Sequence, residues 1–134
     1  MKKIIVISAI VFLCASMVFA ITKKDLATLK GTWSGTVSQV GGQGCVATLE
    51  IMNDAIPLEG KITVTNIPMQ TQQDYNVPAT FTGQSKNGKL TTAGTIMFTG
   101  GEGNFFEITS LKDKKISAWF FVNGMKGSFT GNKK

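Results

Sequence analysis

The chain contains no histidine. That absence removes the general base that titrates near neutral pH, the commonest metal ligand, and both the Ser-His and the Cys-His nucleophile pairs. What remains is a pair of carboxylates or a Ser-Lys arrangement. The acidic residues are Asp25, Glu50, Asp54, Glu59, Asp74, Glu102, Glu107 and Asp113. No spacing among them marks the pair that glycoside hydrolysis needs, and most sit in turn-like or Thr-rich stretches where a carboxylate is simply solvated. Zinc would require several thiolates or imidazoles, and there are only two cysteines, Cys14 and Cys45. These residues predict a non-catalytic protein with no metal site and no cofactor.

The basic residues are equally one-sided: all 14 are Lys, with no Arg. Without the guanidinium fork that grips phosphate and guanine, scattered lysines make a thin electrostatic footprint, which argues against nucleic acid as a partner. Lys112, Lys114 and Lys115 read as the solvated rim of a hairpin, the sharper alternative being weak attraction to anionic surfaces. Gly41, Gly42 and Gly44 lack the Lys-Ser/Thr continuation and the helix of a phosphate loop.

The first 20 residues have the form of an export signal. Lys2 and Lys3 precede an apolar run from Ile4 to Leu13, and small residues lead to Val18-Phe19-Ala20. A retained membrane anchor and a lipid anchor on Cys14 are the alternatives. The first is marginal in length for a bilayer core of about 30 Å, and Phe12-Leu13 fits a lipoprotein processing site poorly. Cleavage leaves one domain over 21–134, expected in the periplasm or secreted, with no transmembrane segment. Cys45 would then have no intramolecular disulfide partner, so stability must come from a core.

The elements of that core are strands. Thr, Ile and Val supply 30 of the 114 residues from Ile21 onward, and such side chains are stiff in helices but fit a pleated sheet. Only Thr22 to Lys30 has helical character: Thr22 can cap, Asp25 stands at the third position, and Gly31 ends the run. Eight strands are expected beyond it, over 32–40, 45–52, 60–67, 78–84, 89–98, 104–111, 115–122 and 125–131. Asn87-Gly88 and Asn123-Gly124 are two-residue hairpin signals, and Gly41-Gly42, Gly100-Gly101 and Lys112-Asp113-Lys114 read as further short turns. Short connections impose antiparallel neighbours.

Each strand shows one apolar face. Trp33 and Val37, Leu49 and Ile51, Ile62 and Val64, and Ile116, Ala118, Phe120 and Val122 share the apolar faces, and the opposite face is mainly Thr, Ser and Lys. The expected fold is therefore all-β: an eight-stranded antiparallel up-and-down barrel preceded by a short N-terminal helical turn, with a β-sandwich as the alternative. A membrane barrel would need aromatic girdles and longer strands, whereas this chain has one Tyr and two Trp and ends in Lys133-Lys134.

The segment Leu29-Lys30-Gly31-Thr32-Trp33 resembles the opening of lipocalin-like (calycin-type) barrels, where a helical turn leads through Gly-x-Trp into the first strand. The resemblance rests on Gly31, Trp33 and the eight-strand meander. It implies structural roles for both residues, with Trp33 plugging one end of a barrel that takes a small ligand. The family usually stacks a C-terminal Arg on that Trp. Here no Arg exists, and a Lys would stack more weakly; nor is there room for the family's C-terminal helix.

Two functional expectations follow. The first is a small apolar or amphipathic ligand held in the barrel mouth by Tyr75, Gln73, Phe81 and Phe120, with the polar stretch 67–77, between Pro68 and Pro78, as a lid; an uncounted strand over 70–76 is the plain alternative. Small barrels can be filled by their own side chains, so Val37, Phe81, Ile96, Phe120 and Phe129 packing solid would exclude a ligand. The second is a secreted protein-interaction module, an enzyme inhibitor or envelope assembly partner. It would use Trp119 and Phe121, whose parity opposes Phe120 and points outward, unless the helical turn covers them through Leu26 and Leu29. Cys45 shares the parity of Leu49 and Ile51 and reads as a buried thiol.

Overall fold

A computed structural model describes residues 20–38, 45–70 and 76–134. The expected export segment before Ala20, with Cys14, and the expected Gly41-Gly42 turn lie outside the described residues. The chain enters through Thr22, whose amide and hydroxyl both bond the Asp25 carboxylate, at 2.9 and 3.1 Å. A single 3₁₀ turn, Lys23–Asp25, runs into one helical turn, Leu26–Leu29. Gly31, at φ 134°, ends the turn in a conformation that side chains avoid and opens the first strand.

Eight strands follow: β1 Gly31–Ser38, β2 Val46–Ile51, β3 Leu58–Gln70, β4 Asn76–Leu90, β5 Ile96–Thr99, β6 Phe105–Lys112, β7 Lys115–Val122 and β8 Met125–Lys133. Each pairs antiparallel with the next, and β8 returns to β1, from Trp33↔Lys133 to Ser38↔Ser128. The sheet is a closed up-and-down barrel, not a sandwich. Bulges interrupt the β3–β4 register near Leu58/Gly60 and Val64/Ile67, and the β6–β7 register near Ile108/Ser110. Such bulges add the local bend that closure requires. The β7–β8 turn is the Asn123-Gly124 hairpin, both residues having positive φ (53° and 81°).

Asn87-Gly88 is not a turn. Both residues lie inside β4, and the chain reverses later, at Thr91–Thr95, where the Thr91 N–H donates to the Thr95 carbonyl at 2.9 Å and Gly94 has φ 77°. The strand expected over 89–98 is thus divided between β4 and the short β5. Gly88 has a different task from conformational freedom. A Cβ there would stand 2.6 Å from the Phe98 ring and 2.9 Å from Leu58 Cβ. Phe98 also lies against Gly60, Phe120 against Gly127 and Phe129 against Gly131. Large rings over small residues are how a narrow barrel fits its taper.

The two ends differ. At the base, the end holding the helical turn, Ile21, Leu26, Leu29, Trp33, Ile51, Leu58, Ile96 and Ile116 are all buried, each contributing roughly 1.5–3 kcal/mol of hydrophobic stabilisation. Ile21 N–H donates to the Gly94 carbonyl at 2.7 Å, and Lys134 N–H to the Thr32 carbonyl at 3.0 Å. Both described ends of the chain are therefore pinned to this pole. The Trp33 indole N–H donates to the Leu29 carbonyl at 2.8 Å, so the plug bonds to the turn that seals it. Lys133 Nζ lies 5.7 Å from the Trp33 ring centroid and donates to the Thr28 carbonyl at 2.6 Å. The chain without Arg sets a Lys in the stacking position.

The opposite end is the mouth. β3 and β4 outrun their neighbours there, since β2 reaches only Thr65 of β3 and β5 pairs β4 only at Lys89↔Met97 and Leu90↔Ile96. The stretch 67–77 is therefore mostly strand rather than lid, paired from Ile67↔Ala79 to Gln70↔Asn76. Pro68 stands opposite Pro78, so two breakers share one rung of an arm where few neighbours require their missing N–H groups. Residues 71–75, with Gln73 and Tyr75, lie outside the described residues.

Candidate functional site

Alternation sets which side chains face the lumen. On β3 these are Leu58, Gly60, Ile62 and Val64, and the register carries them to Phe81, Gly83 and Ser85 on β4. The Val64/Ile67 shift, with Asn66 at φ 60°, returns Ile67 to the inner face opposite Ala79. Across the lumen stand Phe98 of β5, Phe106 of β6, and Phe120 and Val122 of β7. Together these walls enclose a cavity of about 600 Å³, within the ~300–1,000 Å³ range of small-molecule sites.

The lumen is thus solid below and hollow above. Val37, Ile96, Phe120 and Phe129 are buried, but Phe81 is 43% exposed; the five do not pack into a plug. Phe81 and Phe120, two of the sequence-predicted ligand residues, line the same cavity. Residues that the sequence reading passed over complete it: Ile62, Val64, Ile67, Phe98, Phe106 and Met125. The parity of Phe98 with Ile96, and of Phe106 with Ile108, was the available signal.

None of the described lining residues is charged. Several of the polar ones are held by the protein itself. Ser85 Oγ donates to Asn87 Oδ1 at 2.7 Å, Gln84 Nε2 to Glu59 Oε1 at 2.8 Å, and the Asn123 N–H to Asn104 Oδ1 at 3.0 Å. The last bond joins two loops of the mouth. An occupant would meet mainly aliphatic and aromatic groups, with a few hydroxyls and amides among them. An ionised group carried to the floor would find no counter-charge, at a cost of several kcal/mol.

Trp119 and Phe121 lie on the outside of the barrel. The Trp119 ring meets Phe105 edge-on at 4.6 Å, Phe105 stacks on Phe121 at 6.2 Å, and Lys126 Nζ stands 4.9 Å from the Trp119 centroid. The indole N–H donates to Glu107 Oε1 at 3.0 Å. The helical turn does not cover this cluster, because Leu26 and Leu29 are buried with Trp33 in the core; its own neighbours on β6 and β8 do.

Cys45 is buried, its Sγ 3.7 Å from the Asn66 carbonyl. Among the described residues no three His, Cys, Asp or Glu side chains converge on a point that could hold a metal. No described helix is long and apolar enough to cross a membrane. A second hollow, of about 440 Å³, lies on the outer wall at the base between Lys112, Asp113, Lys114, Lys115 and Asn132; these four charged side chains are exposed at the β6–β7 turn.

No protein-family model, curated protein or solved structure matches this chain.

Proposed function

We propose that this is an exported, non-catalytic binding protein whose barrel mouth takes a small apolar or amphipathic ligand, in the manner of the lipocalin-like barrels that its Gly31-Thr32-Trp33 opening resembles. The observation that carries the reading is the cavity of about 600 Å³ above a sealed base, with no charged side chain among its described lining residues. Its size suits a ligand of roughly drug or fatty-acid dimensions. Its lining selects for hydrocarbon, and the rim hydroxyls and amides suit a polar head left at the entrance. Support for the family resemblance comes from Lys133 over Trp33, which supplies the cation that the missing Arg would have placed there.

Titration with the neutral fluorophore N-phenyl-1-naphthylamine, followed by displacement with fatty acids and lysolipids, tests the proposal. Saturable enhancement that apolar competitors reverse is expected; no enhancement over the protein's whole soluble range would end the reading. The interaction-module alternative draws on the outward Phe105, Trp119 and Phe121 cluster. It stands second, because Glu107 and Lys126 already satisfy that indole.

A further inference from the structure

The mouth-side half of β4 has a strand along one edge only. Residues 76–86 run beside β3, while pairing with β5 begins at Lys89, and no described strand lies along the other edge of this stretch. A two-stranded ribbon on its own is marginal in water, and an unpaired edge offers a row of backbone donors and acceptors to any extended chain. Proteins usually blunt such edges with charge or proline. Here the protection stops at the two limits, Pro78 and Lys86. The seven residues between them, Ala79-Thr80-Phe81-Thr82-Gly83-Gln84-Ser85, contain neither. Thr80, Phe81 and Thr82 are moreover strong strand formers, and Phe81 is one of the few large apolar side chains left exposed.

We propose that this edge pairs antiparallel with the same edge of a second copy, about a two-fold axis through Thr82. The segment is self-complementary in that register. Phe81 of one copy stands opposite Gly83 of the other, on the inner face. Within one copy the Phe81 ring already lies across its own Gly83, where a Cβ would stand 3.2 Å from it, so the cross-strand arrangement repeats the intrachain one and covers the exposed ring. Lys86 falls opposite Pro78 of the second copy. The two Lys86 residues are then eight positions apart, roughly 27 Å at ~3.4 Å per residue, well beyond the ~8 Å screening length at physiological salt. The interface is isologous and closes as a dimer. It joins the two β3–β4 arms into one four-stranded sheet.

Thr82 is exposed on the outer face of β4, so its substitution reads pairing rather than folding. At the two-fold axis each Thr82 faces its own copy, and like charges directly opposite each other across strands are destabilising. Light scattering and native mass spectrometry over a dilution series are expected to show a wild-type dimer. T82K and T82E should each weaken it by roughly two- to five-fold, and an equimolar mixture of the two should restore a mixed dimer. Thermal unfolding confirms that both variants fold. A monomeric wild-type protein across the series, including one that binds an extended segment of a different protein instead, would overturn the proposal. So would variants that dimerise as the wild type does. Titration of the monomeric variants with N-phenyl-1-naphthylamine reads the cavity separately, so a failure of pairing and a failure of ligand binding are distinguishable.

Discussion

Asn87 and Thr99 exchange two hydrogen bonds across the β4–β5 seam through a side chain. The Asn87 amide donates to the Thr99 carbonyl at 2.6 Å, and its Oδ1 accepts the Thr99 N–H at 3.0 Å. This is the donor–acceptor exchange of a backbone rung, performed where the ladder has already ended. Asn87→Ala removes both bonds at once, together with those to Ser85 Oγ and Thr99 Oγ1, and should cost about 1–3 kcal/mol. Hydrogen exchange locates the effect: the Thr99 amide should approach the rate of an open chain while Ile108, in the core, stays protected. Unchanged protection at Thr99 would contradict the assignment.

Lys133 is expected to stabilise the base through the Trp33 ring and the Thr28 carbonyl together. Lys133→Met keeps most of the aliphatic stem and loses both polar interactions, which should lower stability by about 1–2 kcal/mol. Chemical denaturation read by the Trp33 environment measures it. Salt should change the difference little, because neither partner is a carboxylate.

Gly88 yields a prediction whose sign separates two readings of the sequence. Gly→Ala within a strand ordinarily stabilises, by roughly 0.5–1 kcal/mol. Here the added methyl meets the Phe98 ring and Leu58 Cβ inside 3 Å, so Gly88→Ala should destabilise by about 1–3 kcal/mol. A compensating Phe98→Leu should recover part of the loss, and equilibrium unfolding of the single and double variants shows whether it does.

Ala79 lines the cavity opposite Ile67. Ala79→Phe places a ring in the hollow without touching the sealed base, so stability should hold or rise while affinity for N-phenyl-1-naphthylamine falls by roughly ten-fold or more. Undiminished affinity would place the probe elsewhere.

The barrel was legible because its signals are local. Alternation marked Ile116, Ala118, Phe120 and Val122 as one face, and Asn123-Gly124 supplied the two positive φ values that its turn needs. Asn87-Gly88 carries the same dipeptide yet lies in a strand, since Gly88 answers to Phe98 and Asn87 to Thr99, both across the β4–β5 seam; no short-range reading contains either contact. Pro68 and Pro78 misled in the same way, as breakers that become neighbours once β3 and β4 pair. The cavity was least legible. Phe81 and Phe120 follow from parity, but a hollow lumen depends on where β5 stops beside β4, a difference in strand length that single-strand patterns do not encode. Trp119 pointed outward as its parity required, though its cover comes from Phe105, Glu107 and Lys126 rather than from the helical turn.

The pinned base carries a practical corollary for anything joined to this protein. Ile21 is held to Gly94 and Lys134 to Thr32, so a linker grafted at either point emerges from the pole opposite the cavity. An immobilised or displayed barrel tethered through its tails would hold the mouth outward, clear of the support, and two orthogonal tethers would agree on that orientation.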